Sequence, residues 1–499
     1  MPILPTPSPT TQHLIPPPSR PRGRVSGIVN TAIGLIALVL ILVLGTGWLT
    51  SATFFLSRFH LQAGVGTPGP ALYFQGFQDL WLRSSGDHQF MKPDSKRILL
   101  SEADDYHMNA VAIVVTADQS TFHSTSLSYS PTDPGNTDSL SDADIEQAIT
   151  DAEAANLTPI LTLEIRVTNE AASTLPNMIG NPWYNTPGNI AIYSTATATA
   201  EHQWFDSYTA FAVHYAQLSQ KYHLPYFIFG NDLVNMTTDT KATPGANGSP
   251  GDKFTCNGRR DCEWRHVINA IKSPTYTDFQ GQQQTGGGYQ GKLIYGASWS
   301  GDDQDNAPVE FEHITWWDAV DIIGVNAYFP IMKIAAADTI PIPTLIDAWH
   351  GKQDDPNLEL AGQGDIIGRL NAMVEKFKHP ILFTSVGYES TPGANNAPGA
   401  TPPTTRDDLE QAHDMQALLC AFSPQAPPLC PASTPQTAPW FVGAIWSFDA
   451  PKWPRSSVAG WATSTEWAGD TVTGSGANDA KAGGKFLAQF YQPRPVSEA

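Results

Sequence analysis

Eight short apolar runs punctuate this chain: Ala71–Phe77, Ala110–Thr116, Pro159–Ile165, Tyr226–Phe229, Leu293–Ser298, Ile322–Tyr328, Ile381–Ser385 and Val442–Trp446. Each is nearly continuous in apolar residues, as parallel strands covered on both faces are. Helix patterns lie between them. Ser141 precedes Asp142 and Asp144 as an N-cap with an acidic first turn, and Ile145, Ala148 and Ile149 follow at helical spacing. Trp204, Tyr208, Phe211, Tyr215 and Leu218 define a single apolar helix face. Ile340–Trp349 and Leu370–Phe377 read as further helices. Eight strand-helix alternations with right-handed crossovers predict an α/β chain closed as a (β/α)8 TIM barrel. An open doubly wound sheet is the competing fold, but no Gly-rich phosphate loop follows an early strand. At 499 residues the chain exceeds the roughly 250 that such a barrel needs.

The N-terminal segment has a different character. Val25 to Ser57 holds no charged residue, and Ile28–Leu49 is almost wholly apolar. That is enough to cross a bilayer, which takes roughly 20 residues. Arg20, Arg22 and Arg24 precede it, so the N-terminus is expected in the cytoplasm and the barrel outside the cell. A cleaved signal peptide is the alternative. The run is longer than a usual h-region, and no strong A-x-A site follows it. The expected organisation is a Pro-rich arm at 1–26, one transmembrane helix at 27–50, a spacer at 51–70, the barrel at 71–492 and a tail at 493–499. Cys256 with Cys262, and Cys420 with Cys430, are close enough to close two local disulfides in an oxidising compartment. Neither pair has the spacing of a zinc site.

A net charge of −20 argues against nucleic acid as a partner. A neutral poly- or oligosaccharide is compatible with it, and 14 Trp residues supply surfaces on which sugars stack, although most are expected in core or rim packing. Long Pro/Gly-rich loops follow the strand ends, at Ser120–Leu140, Asn169–Ser194, Thr237–Asp261 and Glu389–Thr405. In a barrel these loops build the active-site face.

Three strand ends carry the chemistry: Gly230-Asn231-Asp232, Phe383-Thr384-Ser385-Val386-Gly387-Tyr388 and Ile445-Trp446-Ser447-Phe448. Together they resemble the strand ends of retaining TIM-barrel glycoside hydrolases, in the endo-β-mannanase-like branch. The flanking Trp204–Ala216 and Cys262–Arg265 segments and the run Asp321–Pro330 are similar to the same branch. The resemblance implies an acid/base Glu where Asp232 stands and a nucleophilic Glu where Ser385 stands. It implies that Tyr328 hydrogen-bonds the nucleophile position and that Trp446 forms the floor under the sugar. Asn231 and Trp299 complete the implied substrate contacts.

The two changed positions decide the chemistry. Period-two alternation puts Ile228, Gly230 and Asp232 on one face and Ser385 on the face of Phe383, so both Asp232 and Ser385 are expected to point into the barrel. Asp still supplies a carboxyl, one methylene shorter, and the separation of the two carboxyls sets the reaction geometry. A Ser hydroxyl carries no charge and has no adjacent base in sequence. Glu389 is an extended-chain distance beyond it. Glu164 and Asp449 are candidate substitutes for the second carboxylate, although Glu164 is more simply read as the partner of Arg166 on its own strand face. No metal motif, nucleotide loop or Ser-His-Asp signature appears, and no cofactor is expected. The expected function is a membrane-anchored, outward-facing protein that binds a polysaccharide with lost or strongly reduced catalysis. The alternatives are an active, inverting glycosidase built on Asp232 with a relocated carboxylate, and an envelope scaffold.

Overall fold

The structure, a computed structural model, describes residues 73–79, 91, 93–122, 124–129, 140–169, 195–237, 260–278, 280–300, 309–333, 340–352, 360–398, 407–423, 429–431, 438–448 and 482–491. All of them fall in the unit from Ala71 to Ala499. The expected anchor at 27–50 lies outside the described residues, as do the arm, the spacer and the tail. Among the described residues no helix is long and apolar enough to cross a membrane.

Eight parallel strands close a barrel: β1 (Phe74–Asp79), β2 (Ala110–Gln119), β3 (Thr158–Val167), β4 (Tyr226–Asn231), β5 (Lys292–Ser298), β6 (Ile322–Asn326), β7 (Ile381–Val386) and β8 (Phe441–Phe448). Each strand pairs with its neighbours in sequence, and β1 closes against β8 from Phe74↔Gly443 to Asp79↔Phe448. Every one of the eight predicted runs supplies one barrel strand. Around them lie α1 (Pro93–Asp105), α2 (Asp142–Ala154), α3 (Thr195–Lys221), α4 (Arg260–Lys272), α5 (Ile342–Trp349), α6 (Ile366–Phe377), α7 (Asp408–Phe422) and α8 (Ala482–Phe490). A small antiparallel hairpin, Thr275–Thr277 with Gln283–Thr285, precedes β5.

Local chemistry explains several element ends. Ser141 caps α2 in a reciprocal capping box with Asp144: each side chain accepts the other's backbone N–H at 3.2 Å. The predicted face of α3 is buried along its length, with Trp204 and Phe211 fully covered. The barrel interior is narrow and apolar. Phe74, Ala110, Ala112, Ile160, Ile228, Ile294, Ile322, Leu382 and Ile445 fill it, while a separate, larger core occupies the layer between strands and helices. Cys420 and Cys430 form the expected local disulfide after α7, with Cα atoms 5.4 Å apart. Cys262 is also disulfide-bonded, and its expected partner Cys256 lies outside the described residues.

Candidate active site

Above the apolar filling, the C-terminal ends of the strands carry a ring of polar side chains. Irregularities in strand pairing on β4 and β7 decide several of the residues that join it. On β4, Ile228 pairs with Ile294 but Asn231 pairs with Gly296, three residues against two. This bulge breaks the expected alternation. A Cβ at Gly230 would meet the Tyr208 hydroxyl at 2.6 Å and the Tyr295 ring at 2.8 Å, so Gly230 faces the helix layer, not the barrel. Asn231 turns inward instead, and Asp232 leaves the strand with φ 52°. On β7, Val325 and Asn326 pair with Phe383 and Ser385. Phe383 packs outward on Phe422 and Phe441, at 4.9 Å between ring centroids in both cases. The extra residue lets Thr384 and Ser385 both face the barrel mouth. Ser385 therefore points inward, though not for the reason that alternation gives.

The first group of the ring runs across β3, β4, β6 and β7. Asn231 Nδ2 donates to Glu164 Oε1 at 3.1 Å, Asn326 Nδ2 donates to Asn231 Oδ1 at 2.9 Å, and Thr384 Oγ1 donates to Asn326 Oδ1 at 3.0 Å. A Cβ at Gly296 would lie 2.5 Å from Asn231 Oδ1, so this packing requires glycine there. Arg166 makes its bidentate bonds with Asp118 on β2, both at 2.9 Å, and the described contact of Glu164 is Asn231.

The second group surrounds Ser385. Gln78 Nε2 donates to Ser385 Oγ at 2.9 Å and to Ser447 Oγ at 2.7 Å. The Tyr328 hydroxyl lies 2.6 Å from Ser385 Oγ and 2.7 Å from Ser447 Oγ, and the two serine hydroxyls are 3.0 Å apart. Gln78, Ser385 and Ser447 are buried, and Tyr328 is half-buried. Every described partner of Ser385 is neutral.

Asp232 is anchored from behind. Its backbone N–H donates to Gly296 O at 2.8 Å. Glu310, fully buried in the short helix Glu310–His313, accepts from Thr237 Oγ1 at 2.5 Å, Tyr295 OH at 2.8 Å and the Ser298 backbone N–H at 2.6 Å. The Tyr295 hydroxyl in turn accepts from the Leu233 backbone N–H at 3.0 Å. Burial, with the Asp232 charge as a second cause, pushes the Glu310 carboxyl up to about 8. Burial also raises the Asp232 carboxyl, and a hydrogen bond from Ser298 opposes that rise. Asp232 itself is exposed.

Other candidates fall elsewhere. Trp446 is fully buried in the layer outside the barrel, its Nε1 donating to the Tyr491 hydroxyl at 3.0 Å. It is not a floor for a sugar, because Ile445 takes the inward position on β8 and leaves Trp446 facing outward. Trp299, at the end of β5, is half-buried against Phe329 with ring centroids 5.8 Å apart. Asp449 lies outside the described residues. Glu389 is buried after β7. Among the described residues no group of three or more His, Cys, Asp or Glu side chains is placed to hold a metal ion. Sequence reasoning missed Gln78, Asn326, Ser447 and Glu310. The first two lie on the inward series of their strands, which is a usable signal, whereas Glu310 stands in a short connecting helix with no periodicity to mark it.

The profile of Glycoside Hydrolase Family 113 matches residues 81–243 and 253–426. A solved GH113 β-1,4-mannanase is 17% identical with a TM-score of 0.52, covering 85% of this chain and 100% of that chain. The GH113 β-mannanase AaManA from Alicyclobacillus acidocaldarius, solved in complex with ManMIm, gives the same identity and TM-score and covers 85% and 98%. At that identity the likeness concerns the fold. No curated protein matches the chain significantly. The matched residues run past the end of β1 to beyond α7 and take in the strand ends of Glu164, Asn231, Asp232, Tyr328 and Ser385, and on this extent the chain belongs to Glycoside Hydrolase Family 113.

Proposed function

We propose that this protein binds a β-linked, mannan-like oligosaccharide in the barrel mouth and has lost the two-carboxylate hydrolysis implied by the family resemblance. The observation that carries this is the neutral surroundings of Ser385, which hydrogen-bonds Gln78, Tyr328 and Ser447 where the resemblance implies a nucleophilic carboxylate. A hydroxyl there provides no negative charge for an oxocarbenium-like transition state. No base lies among its described partners to make it a nucleophile. The polar ring and the half-buried Trp299 remain as hydrogen-bonding and stacking contacts for sugar. The apolar segment at 27–50 is proposed to anchor the barrel outside the cell.

The test pairs binding with rescue. Mannotetraose should bind the full-length protein in calorimetry while β-mannan is not depolymerised. Asp232→Glu with Ser385→Glu should restore hydrolysis, and either change alone should restore much less, because such residues act as a unit. Robust wild-type turnover that vanishes on Glu164→Gln would instead establish a rearranged inverting enzyme. Absence of both binding and rescue would leave the scaffold reading.

A further inference from the structure

The segment that follows β7 folds against the start of α7 and is tied to it at several points. Gln411 Nε2 donates to Tyr388 O at 2.8 Å, and the Asp407 backbone N–H donates to Ser390 O at 2.7 Å. Glu410 Oε1 accepts from the Gly393 backbone N–H at 2.8 Å and from Asn395 Nδ2 at 2.7 Å. The polar side chains along this seam are covered: Asp414 is 0% exposed, Asn395 1%, Tyr388 2% and Glu410 4%.

Several of their oxygens are left over. Both carboxylate oxygens of Asp414, the Tyr388 hydroxyl and Asn395 Oδ1 have no hydrogen-bond partner among the described residues. Buried oxygens in that state are costly, a carboxylate most of all. They are also gathered together. Glu410 and Asp414 stand four residues apart on α7 and share one face of it. Asn395 Oδ1 belongs to the amide whose nitrogen holds Glu410, and the Asp414 charge acts on the Tyr388 hydroxyl. The charged groups that act on Asp414 are Glu410 and Asp407, both acids, and with burial as the larger cause they raise its carboxyl well above the usual range. A proton on Asp414 would quench its charge but could serve only one acceptor, leaving the other oxygens as they are.

We propose that this seam binds a calcium ion, held by Asp414, Glu410 and Asn395 Oδ1, which fastens the segment after β7 to α7. The donors are all oxygens, carboxylate and amide, which suit a hard cation. Two carboxylates balance a double charge, whereas a monovalent ion would leave one negative charge buried. Magnesium keeps several waters and demands octahedral geometry, which suits a covered site poorly; calcium accepts irregular, bidentate carboxylates. Asp414 and Glu410 both bidentate, Asn395 and one water bonded to the Tyr388 hydroxyl give roughly six oxygens, at the low end of the range for calcium. Only two of the ligands are acids, so the site differs from a cluster of three or more. The inference does not depend on whether the barrel mouth binds sugar.

The experiment uses full-length protein stripped with EDTA and moved into metal-free buffer, with calcium chloride as the probe. Calorimetry should show one calcium per chain, and magnesium chloride should bind at least about 100-fold more weakly. Asp414→Asn should weaken calcium binding at least about 100-fold, since affinity follows the charge of the ligands. The same change removes a buried charge, so the variant should melt above wild type in EDTA and below it in calcium. Tyr388→Phe removes only a hydroxyl without a partner; it should fold even if Asp414→Asn does not, and should weaken calcium binding about tenfold, as loss of a group behind the ligands does. Wild-type protein that binds no calcium would overturn the inference. Calcium binding equal in wild type, Asp414→Asn and Tyr388→Phe would also overturn it, because the ion would then sit at other acids of this chain.

Discussion

Glu310→Gln should remove a pH dependence of stability across the neutral range and reverse the stability order of variant and wild type. In the native protein the Glu310 carboxyl titrates at about 8 against 4.5 when unperturbed. Between those values the native chain holds one more proton than the unfolded chain, so unfolding free energy falls as pH rises. The contribution is whole below about 4.5 and is lost as pH passes through about 8. That gap is worth about 5 kcal/mol at about 1.4 kcal/mol per pH unit. The hydrogen bonds accommodate the proton. Oε1–H can donate to Thr237 Oγ1, which then donates to Leu233 O or Val234 O, at 3.3 and 3.2 Å. Gln keeps a carbonyl for Thr237 and Tyr295, but its amide meets the Ser298 N–H donor to donor. That mismatch costs about 1–3 kcal/mol. The variant should therefore be less stable than wild type at pH 5 and more stable at pH 9, with the curves crossing between about 5 and 7. Urea unfolding of both chains across that range measures the difference and cancels the groups they share. Parallel curves with no crossing would refute the reasoning.

Two further outcomes follow from the described contacts, and a third tests the proposed anchor. Glu201 and Arg260 form an ion pair buried between α3 and α4, so Glu201→Ala should lower stability by about 3–5 kcal/mol in urea unfolding, because it strands a buried guanidinium. Cys420→Ala should cost about 3 kcal/mol, since the disulfide closes a loop with a sequence separation of 10, and non-reducing peptide mapping should show the Cys420–Cys430 crosslink in the wild type. If the segment at 27–50 anchors the chain, protease added to whole cells should remove the barrel and spare the 1–26 arm, whereas a soluble product beginning near Ala52 would disprove the anchor.

The barrel was legible because its strands are covered on both faces. Continuous apolar runs such as Ile322–Tyr328 mark them without any need for alternation, and each run has one place in the ring. Side-chain direction at the strand ends was harder to read, because it depends on register. Trp446 illustrates this: the residue itself is informative, but Ile445 fills the barrel interior and turns Trp446 toward α8 and Tyr491. Gln78 and Asn326 could have been read from the inward series of β1 and β6. Glu310 could not, since its importance arises from contacts with Thr237, Tyr295 and Ser298 that no short-range pattern encodes.

The two bulges are where sequence periodicity and site construction part company, and they fall at the two positions that the family resemblance marks. A regular strand sends alternate residues into the barrel, so a strand end contributes one side chain per layer. The additional residue on β7 puts Thr384 and Ser385 on the mouth together, one bonded to Asn326 and the other to Tyr328. The additional residue on β4 lets Asn231 bridge Glu164 and Asn326 while Asp232 turns up with φ 52° beside Ser298. Each bulge gives one strand two polar positions at the rim. Gly230 makes the first of them feasible, because any larger side chain would collide with Tyr208 and Tyr295. Replacing the residue at 385 or 232 therefore changes the chemistry without removing the backbone that aims it. The expectation that Asp232→Glu with Ser385→Glu restores hydrolysis rests on that separation between backbone and side chain.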